Sequence, residues 1–158
     1  LTMEIDVREA TLDDQQVRAL ALDHVTQMRA GSPPGQAFAL DLTGLDDPAI
    51  TLFGAWRGDE LLGIGALKRL GAEGAEIKSM RTRADALRQG VARALLEAII
   101  ARARDEGIVR LSLETGNGPT FEPALALYRA RGFRNGEAFA DYQNTDFNQC
   151  LHLDLSSD

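Results

Sequence analysis

Gly90 stands just before the most regular helical pattern in this chain, with arginines on both sides of it. A helix N-terminus offers unpaired backbone N–H groups and a partial positive charge of roughly half a unit. A glycine there, followed by the small Ala92, lets a phosphate come close to the backbone. Arg83, Arg88 and Arg93 are placed to add charge-assisted contacts. From Lys78 to Arg93 the chain carries five basic residues (Lys78, Arg81, Arg83, Arg88, Arg93) and one acid, Asp85, within a sequence of formal net charge -7. Anion binding is one reading of that stretch. A solvated helix edge is the other, and Gly90 by itself could equally relieve packing at a tight turn.

Other chemistries find less support. Cys150 is the only cysteine and His24 and His152 the only histidines, so neither an intrachain disulfide nor a Cys/His zinc site is expected. The acidic balance argues against general binding to nucleic acid or to an anionic membrane. No apolar run approaches the ~20 residues that span a bilayer, and Leu1-Thr2-Met3-Glu4 lacks a secretory n-region. The expectation is a metal-free cytoplasmic protein. Gly63-Ile64-Gly65 begins like a dinucleotide fingerprint, but the third glycine is missing and a turn and another strand follow. These two glycines read as strand positions that allow a bend or a close backbone approach.

The elements that must position these residues follow from periodicity. Glu4 to Arg8 reads as a strand, and Thr11-Leu12-Asp13-Asp14 as a helix start ahead of Val17, Leu20, Ala21, Val25 and Met28 at helical spacing. Gly31 to Gly35 is a loop, and Ala37 to Leu45 is ambiguous. Ile50–Trp56, Leu61–Leu67 and Ala75–Thr82 form a three-strand meander with turns at 57–60 and 71–74. Val91, Leu95, Ala98 and Ile99 share a helical face, with Arg93 and Glu97 as an i,i+4 pair, and Gly107 ends that helix. A strand from Val109 to Glu114, a loop, and a short helix with Pro123 in its first turn come next. Gly132 stops that helix. Strands starting at Phe133 and spanning Cys150–Leu155 complete the chain. The result is one α/β domain over residues 1–158, with a mixed sheet flanked by helices and a right-handed parallel crossover from Ala75 to Glu114.

In that setting Leu87-Arg88-Gln89-Gly90-Val91-Ala92 resembles the acetyl-CoA motif of the GNAT superfamily N-acetyltransferases, [RQ]-x-x-G-x-[GA]. Leu87 departs from the Arg or Gln of the first position, and Arg88 lies one place later. The departure touches a side-chain phosphate contact, not the backbone cradle. Ala124-Leu125-Ala126-Leu127-Tyr128 through Gly132-Phe133 is similar to the family's A-x-x-L-Y-x-x-x-G-F segment. The Asn often found seven residues before that tyrosine is Phe121 here, with Asn117 nearby. The resemblance covers roughly Leu61 to Leu155. It implies a mixed, mostly antiparallel sheet of six or seven strands and acetyl-CoA as co-substrate.

The resemblance also implies residue roles. The cofactor would meet Met80, Arg81 and Thr82 through the strand, then Arg88, Gln89, Gly90, Val91, Ala92 and Arg93 at the helix head, and Asn117 near the second motif. Tyr128 would protonate the leaving thiolate; packing on the core is its other reading. Glu76 would act as general base, because an ammonium must lose a proton before it attacks a thioester. Glu114 is the second candidate, and a solvated strand residue is the other reading of Glu76. The implied reaction is direct acetyl transfer to a primary amine of a small molecule or peptide, without metal, nucleic acid or membrane, and with homodimerisation left open. The rival reading is a non-catalytic module that binds acyl-CoA. Residues 28–45 and the 139–147 loop, with Asp141, Tyr142 and Phe147, are candidate acceptor lining. Asp41, Asp46 and Asp47 would favour a cationic acceptor or simply face water.

Overall fold

The computed structural model describes residues 4–31 and 44–156. Among the described residues the strands and α-helices run in the order β1 (Asp6–Glu9), α1 (Gln15–Ala30), β2 (Ile50–Arg57), β3 (Glu60–Arg69), β4 (Ala75–Thr82), α2 (Val91–Asp105), β5 (Arg110–Thr115), α3 (Glu122–Arg131), β6 (Arg134–Asn135) and β7 (Gln149–Asp154). The strands form one seven-stranded sheet in the order β1-β2-β3-β4-β5-β7-β6. Every pairing is antiparallel except β4 with β5. The mixed, mostly antiparallel sheet expected from the sequence is the one observed. The expected loop at 32–35 and most of the ambiguous stretch 37–45 lie outside the described residues.

Local chemistry explains the boundaries. The Asp14 carboxylate caps α1 by accepting from the backbone N–H of Gln16 at 2.8 Å and of Val17 at 3.1 Å. Val17, Leu20, Ala21, His24 and Val25 then form the buried stripe of α1. Leu20 and Ala21 pack with Leu52, Trp56, Leu61 and Ile64 on one side of the sheet. The other side carries the larger core, where Leu95, Leu96, Ile99 and Ile100 of α2 meet Leu62, Ile77, Leu111 and Leu113. Gly63 and Gly65 make that contact close. A Cβ at Gly63 would meet Val91 at 2.7 Å, and one at Gly65 would meet the Met80 sulfur at 2.5 Å. They are the close-approach glycines anticipated from the strand pattern.

Two expectations are corrected. Glu97 is held by Arg131 of α3, with Nε donating at 2.6 Å, rather than by Arg93. The strand expected from Phe133 is only two residues long.

Two irregularities shape the site. β4 pairs with β5 only at Ala75↔Leu111 and Glu76↔Ser112, after which the strands part. β4 also carries a bulge: Ala66 opposes Lys78 while Ile64 opposes Arg81, so two steps on β3 match three on β4. Ser79 absorbs the extra residue at φ 55°, in the left-handed region that most side chains avoid.

Candidate active site

The parted ends of β4 and β5 open a cleft of about 190 Å³. α1 contributes His24 and Met28, β4 contributes Glu76, Lys78 and Arg81, and β5 contributes Glu114. Tyr128 of α3 and Tyr142 of the loop before β7 close the remaining sides. The bulge explains the cationic wall. In a regular strand, residues three apart point to opposite faces. The extra residue at Ser79 returns Arg81 to the side of Lys78, where its Nε donates to His24 Nδ1 at 3.1 Å.

Glu76 is buried, and its Oε2 is engaged twice. Tyr142 donates its hydroxyl to Glu76 Oε2 at 2.5 Å, and the Lys78 ammonium lies 3.1 Å from the same oxygen. Lys78 also donates to the Tyr142 hydroxyl. Burial, followed by the Glu76 charge, pushes the Tyr142 phenol far above its usual range. Glu114 is placed differently. It accepts one hydrogen bond, from Asn148 Nδ2 at 2.8 Å, and no cation among the described residues lies within ion-pair distance. Burial raises its pKa, and neither the Asn148 donor nor the Lys78 charge offsets the shift.

His24 is neutral at physiological pH. Burial, then the charges of Arg81 and Lys78, lower its pKa from 6.5 to about 4. The unfolded chain takes up this proton near pH 6.5, whereas the folded chain resists until about 4. His24 therefore leaves stability untouched above pH 6.5, lowers it as pH falls, and reaches its full effect below about 4. The full loss is about 3 kcal/mol. Urea unfolding should show wild type losing about that much more than His24→Gln between pH 7 and pH 4. Parallel losses in the two proteins would contradict a desolvated imidazole.

Tyr128 is buried, with its ring edge-on to Phe133 at 5.7 Å. Its hydroxyl has no hydrogen-bond partner among the described residues, and burial pushes its pKa up to about 12. It is thus a protonated donor facing the cleft.

The N-terminus of α2 lies near the end of β4, since a Cβ at Gly63 would meet both Val91 at 2.7 Å and the Arg81 carbonyl at 3.1 Å. Gly90 is its N-cap at φ 85°, no side chain caps the helix, and the first turn holds no acid. A Cβ at Gly90 would meet nothing within 4 Å, so backbone conformation and not crowding calls for glycine. Tight packing as the reason for Gly90 is thereby excluded. Arg83, expected to face a phosphate, is instead held by Asp85 at 2.6 and 2.9 Å and by the Leu61 carbonyl at 3.0 Å. Leu87 is exposed. Asn117 lies outside the cleft lining. Its amide donates to the Asp146 and Phe147 carbonyls and accepts from Gln149, tying two loops together. Phe121 lines the cleft edge-on to Phe147 at 5.5 Å, so an aromatic wall stands where the family pattern has an amide. Asp41 lies outside the described residues, and Asp47 caps the turn at Ala49 at 2.8 Å.

Sequence reasoning passed over His24, Lys78 and the side chain of Arg81 as cleft residues. The i,i+4 spacing of His24 and Met28 was a usable signal. The bulge left none in the residue pattern. Among the described residues no group of three or more His, Cys, Asp or Glu is placed to hold a metal. No described helix is long and apolar enough to cross a membrane.

A mixed seven-stranded sheet, parted at its one parallel seam beside a glycine-headed helix, is the fold of acyl-CoA N-acyltransferases. A protein of that description from Klebsiella pneumoniae subsp. pneumoniae MGH 78578 superposes with a TM-score of 0.78 at 25% identity, covering 96% of this chain and 97% of the other. The acetyltransferase (GNAT) family matches residues 17–133, and the chain belongs to that family. It is 50% identical over 131 residues to the uncharacterized N-acetyltransferase YsnE of Bacillus subtilis (strain 168), spanning 83% of this chain and 87% of that protein. A Bacillus subtilis acetyltransferase in complex with CoA shares the fold, with a TM-score of 0.66 at 19% identity over 96% of this chain and 99% of that one.

Proposed function

We propose that this acetyltransferase moves the acetyl group of acetyl-CoA directly to a primary amine. The observation that carries the reading is the cleft itself. A protonated, unpartnered Tyr128 and an ion-unpaired Glu114 open onto one wedge between strands, beside an uncapped helix N-terminus. That arrangement fits an acyl-CoA. The helix head at Gly90, Val91 and Ala92 would take the pyrophosphate, with Gln89, Arg88 and Arg93 close by. The edge of β4 at Met80, Arg81 and Thr82 would take the pantetheine arm, with Asn117 holding the neighbouring loop. The structural relative in complex with CoA supports the choice of ligand.

Acetyl-CoA would supply the activated acyl carbon; the protein's groups manage protons and position. Glu114 is the better general base. Glu76, the first choice from sequence, already has its Oε2 occupied by the Lys78 ammonium and the Tyr142 hydroxyl. In this scheme Glu114 takes one proton from the acceptor's ammonium. The freed amine forms the C–N bond as the C–S bond breaks, and a second proton from nitrogen ends on the departing sulfur. Tyr128 donates a hydrogen bond to that sulfur as its charge develops. Glu76, held by Lys78 and Tyr142, orders the wall opposite.

The test is thiol release from acetyl-CoA with and without a panel of primary amines. Amine-dependent release is expected in wild type. Glu114→Gln should lower it by 10²–10⁴-fold, while stability above the ordinary carboxylate range rises or holds, because a desolvated charge is removed. Binding of acetyl-CoA with no release for any amine would favour the module that only binds acyl-CoA. Full activity in Glu114→Gln would return the base role to Glu76 or a water chain.

A further inference from the structure

The cleft contains four charged side chains, and two of them cancel. Lys78 and Glu76 form a buried ion pair. The remaining two, Arg81 and Glu114, carry opposite charges, and neither has an ionic partner among the described residues. Arg81 is half-buried, and its one hydrogen bond goes to a neutral imidazole, His24 Nδ1 at 3.1 Å. Both terminal guanidinium nitrogens are left without a hydrogen-bond partner among the described residues. Burial lowers the Arg81 pKa despite the more distant charge of Asp23. A cation removed from water without a counter-ion is costly unless a ligand supplies one.

Resting on the acetyl-transfer reading, we propose that the acceptor is an amino acid: its ammonium group faces Glu114 and its carboxylate is bound by Arg81. The planar guanidinium suits a carboxylate through two parallel hydrogen bonds, which a carboxamide or a bare alkylamine cannot reproduce. The bulge at Ser79 serves this arrangement, since it turns Arg81 toward α1 and the cleft. His24, neutral and accepting from Nε, fixes the plane of the guanidinium and adds no charge of its own.

The experiment compares the common free amino acids and β-alanine with their carboxamides as acceptors at fixed acetyl-CoA, following thiol release. The readout is the ratio of kcat/KM for each acid to that of its amide, so any loss common to both cancels. The best acid is expected to exceed its amide by at least about tenfold, because a site built to bond a polar group rejects the analogue lacking it. In Arg81→Gln that ratio should fall to about one, and in Arg81→Lys to an intermediate value. Amides acetylated as well as acids in wild type would overturn the proposal and leave acetyl transfer standing. A preference for acids that survives both variants would also overturn it. If no member of the panel releases thiol, calorimetric titration of the acids into the CoA-bound protein decides. Binding of an acid, lost in Arg81→Gln, would keep the carboxylate site but overturn the acid as acceptor; no binding would overturn the site.

Discussion

Gly90→Glu should weaken acetyl-CoA binding by a hundredfold or more in a protein that still unfolds cooperatively. The new side chain meets open space, since a Cβ there has no neighbour within 4 Å. Its backbone penalty comes from φ 85° and is about 1–2 kcal/mol. Part of that is offset, because a carboxylate at a helix N-terminus interacts favourably with the dipole by about 0.3–1 kcal/mol. The same carboxylate occupies the ground proposed for the pyrophosphate. One pair of like charges 5 Å apart in a partly desolvated site opposes binding by about 3 kcal/mol, enough for the hundredfold loss. Calorimetric titration beside a melting curve measures both effects, with Gly90→Ala reporting backbone strain alone. Normal affinity in a folded Gly90→Glu protein would place the phosphates elsewhere.

Tyr128→Phe is expected to cut turnover steeply with little change in melting temperature or acetyl-CoA affinity. Stability should hold because the hydroxyl has no hydrogen-bond partner to lose among the described residues, and the ring contact with Phe133 survives. General acid catalysis by one side chain is worth 10²–10⁴-fold. The lower end applies here. A phenol near pKa 12 stands well above a thiol near 8.5, so complete proton transfer to the thiolate is uphill. In the proposed scheme Tyr128 would therefore act as a shared-proton donor to the developing charge, and a fall of about 10²-fold is the expected result. Steady-state kinetics on any accepted amine decide, and unchanged turnover in the folded variant would remove Tyr128 from the chemistry.

Local pattern carried much of this structure. β4 spans Ala75–Thr82 as its alternation predicts, and α2 begins at Val91 because Gly90 breaks the strand-to-helix turn there. Tyr128 and Glu76 do reach one cleft. What stayed hidden depends on partners far away in sequence. The bulge at Ser79 exists only relative to β3, so no reading of β4 alone could turn Arg81 toward His24, 57 residues earlier. Arg83 resembled a phosphate ligand until Asp85, two residues on, was seen to hold it. Glu97 had a plausible helical partner in Arg93, yet tertiary packing offered Arg131, 34 residues later. The different surroundings of Glu76 and Glu114 come from the loop carrying Tyr142 and Asn148, which periodicity does not place.

The parted seam between β4 and β5 is also where the sheet would most easily separate into two cooperative units. With two paired positions across it, the ladder of β1 to β4 and that of β5, β7 and β6 hold together chiefly through side chains beneath α2 and α3. Such a joint is where sub-global opening is least costly. A pantetheine lying in the gap would act as a missing strand, hydrogen-bonded to one bank and packed on the other. Occupancy would then couple the two units, so that amides deep in both banks exchange with solvent only when the whole chain unfolds.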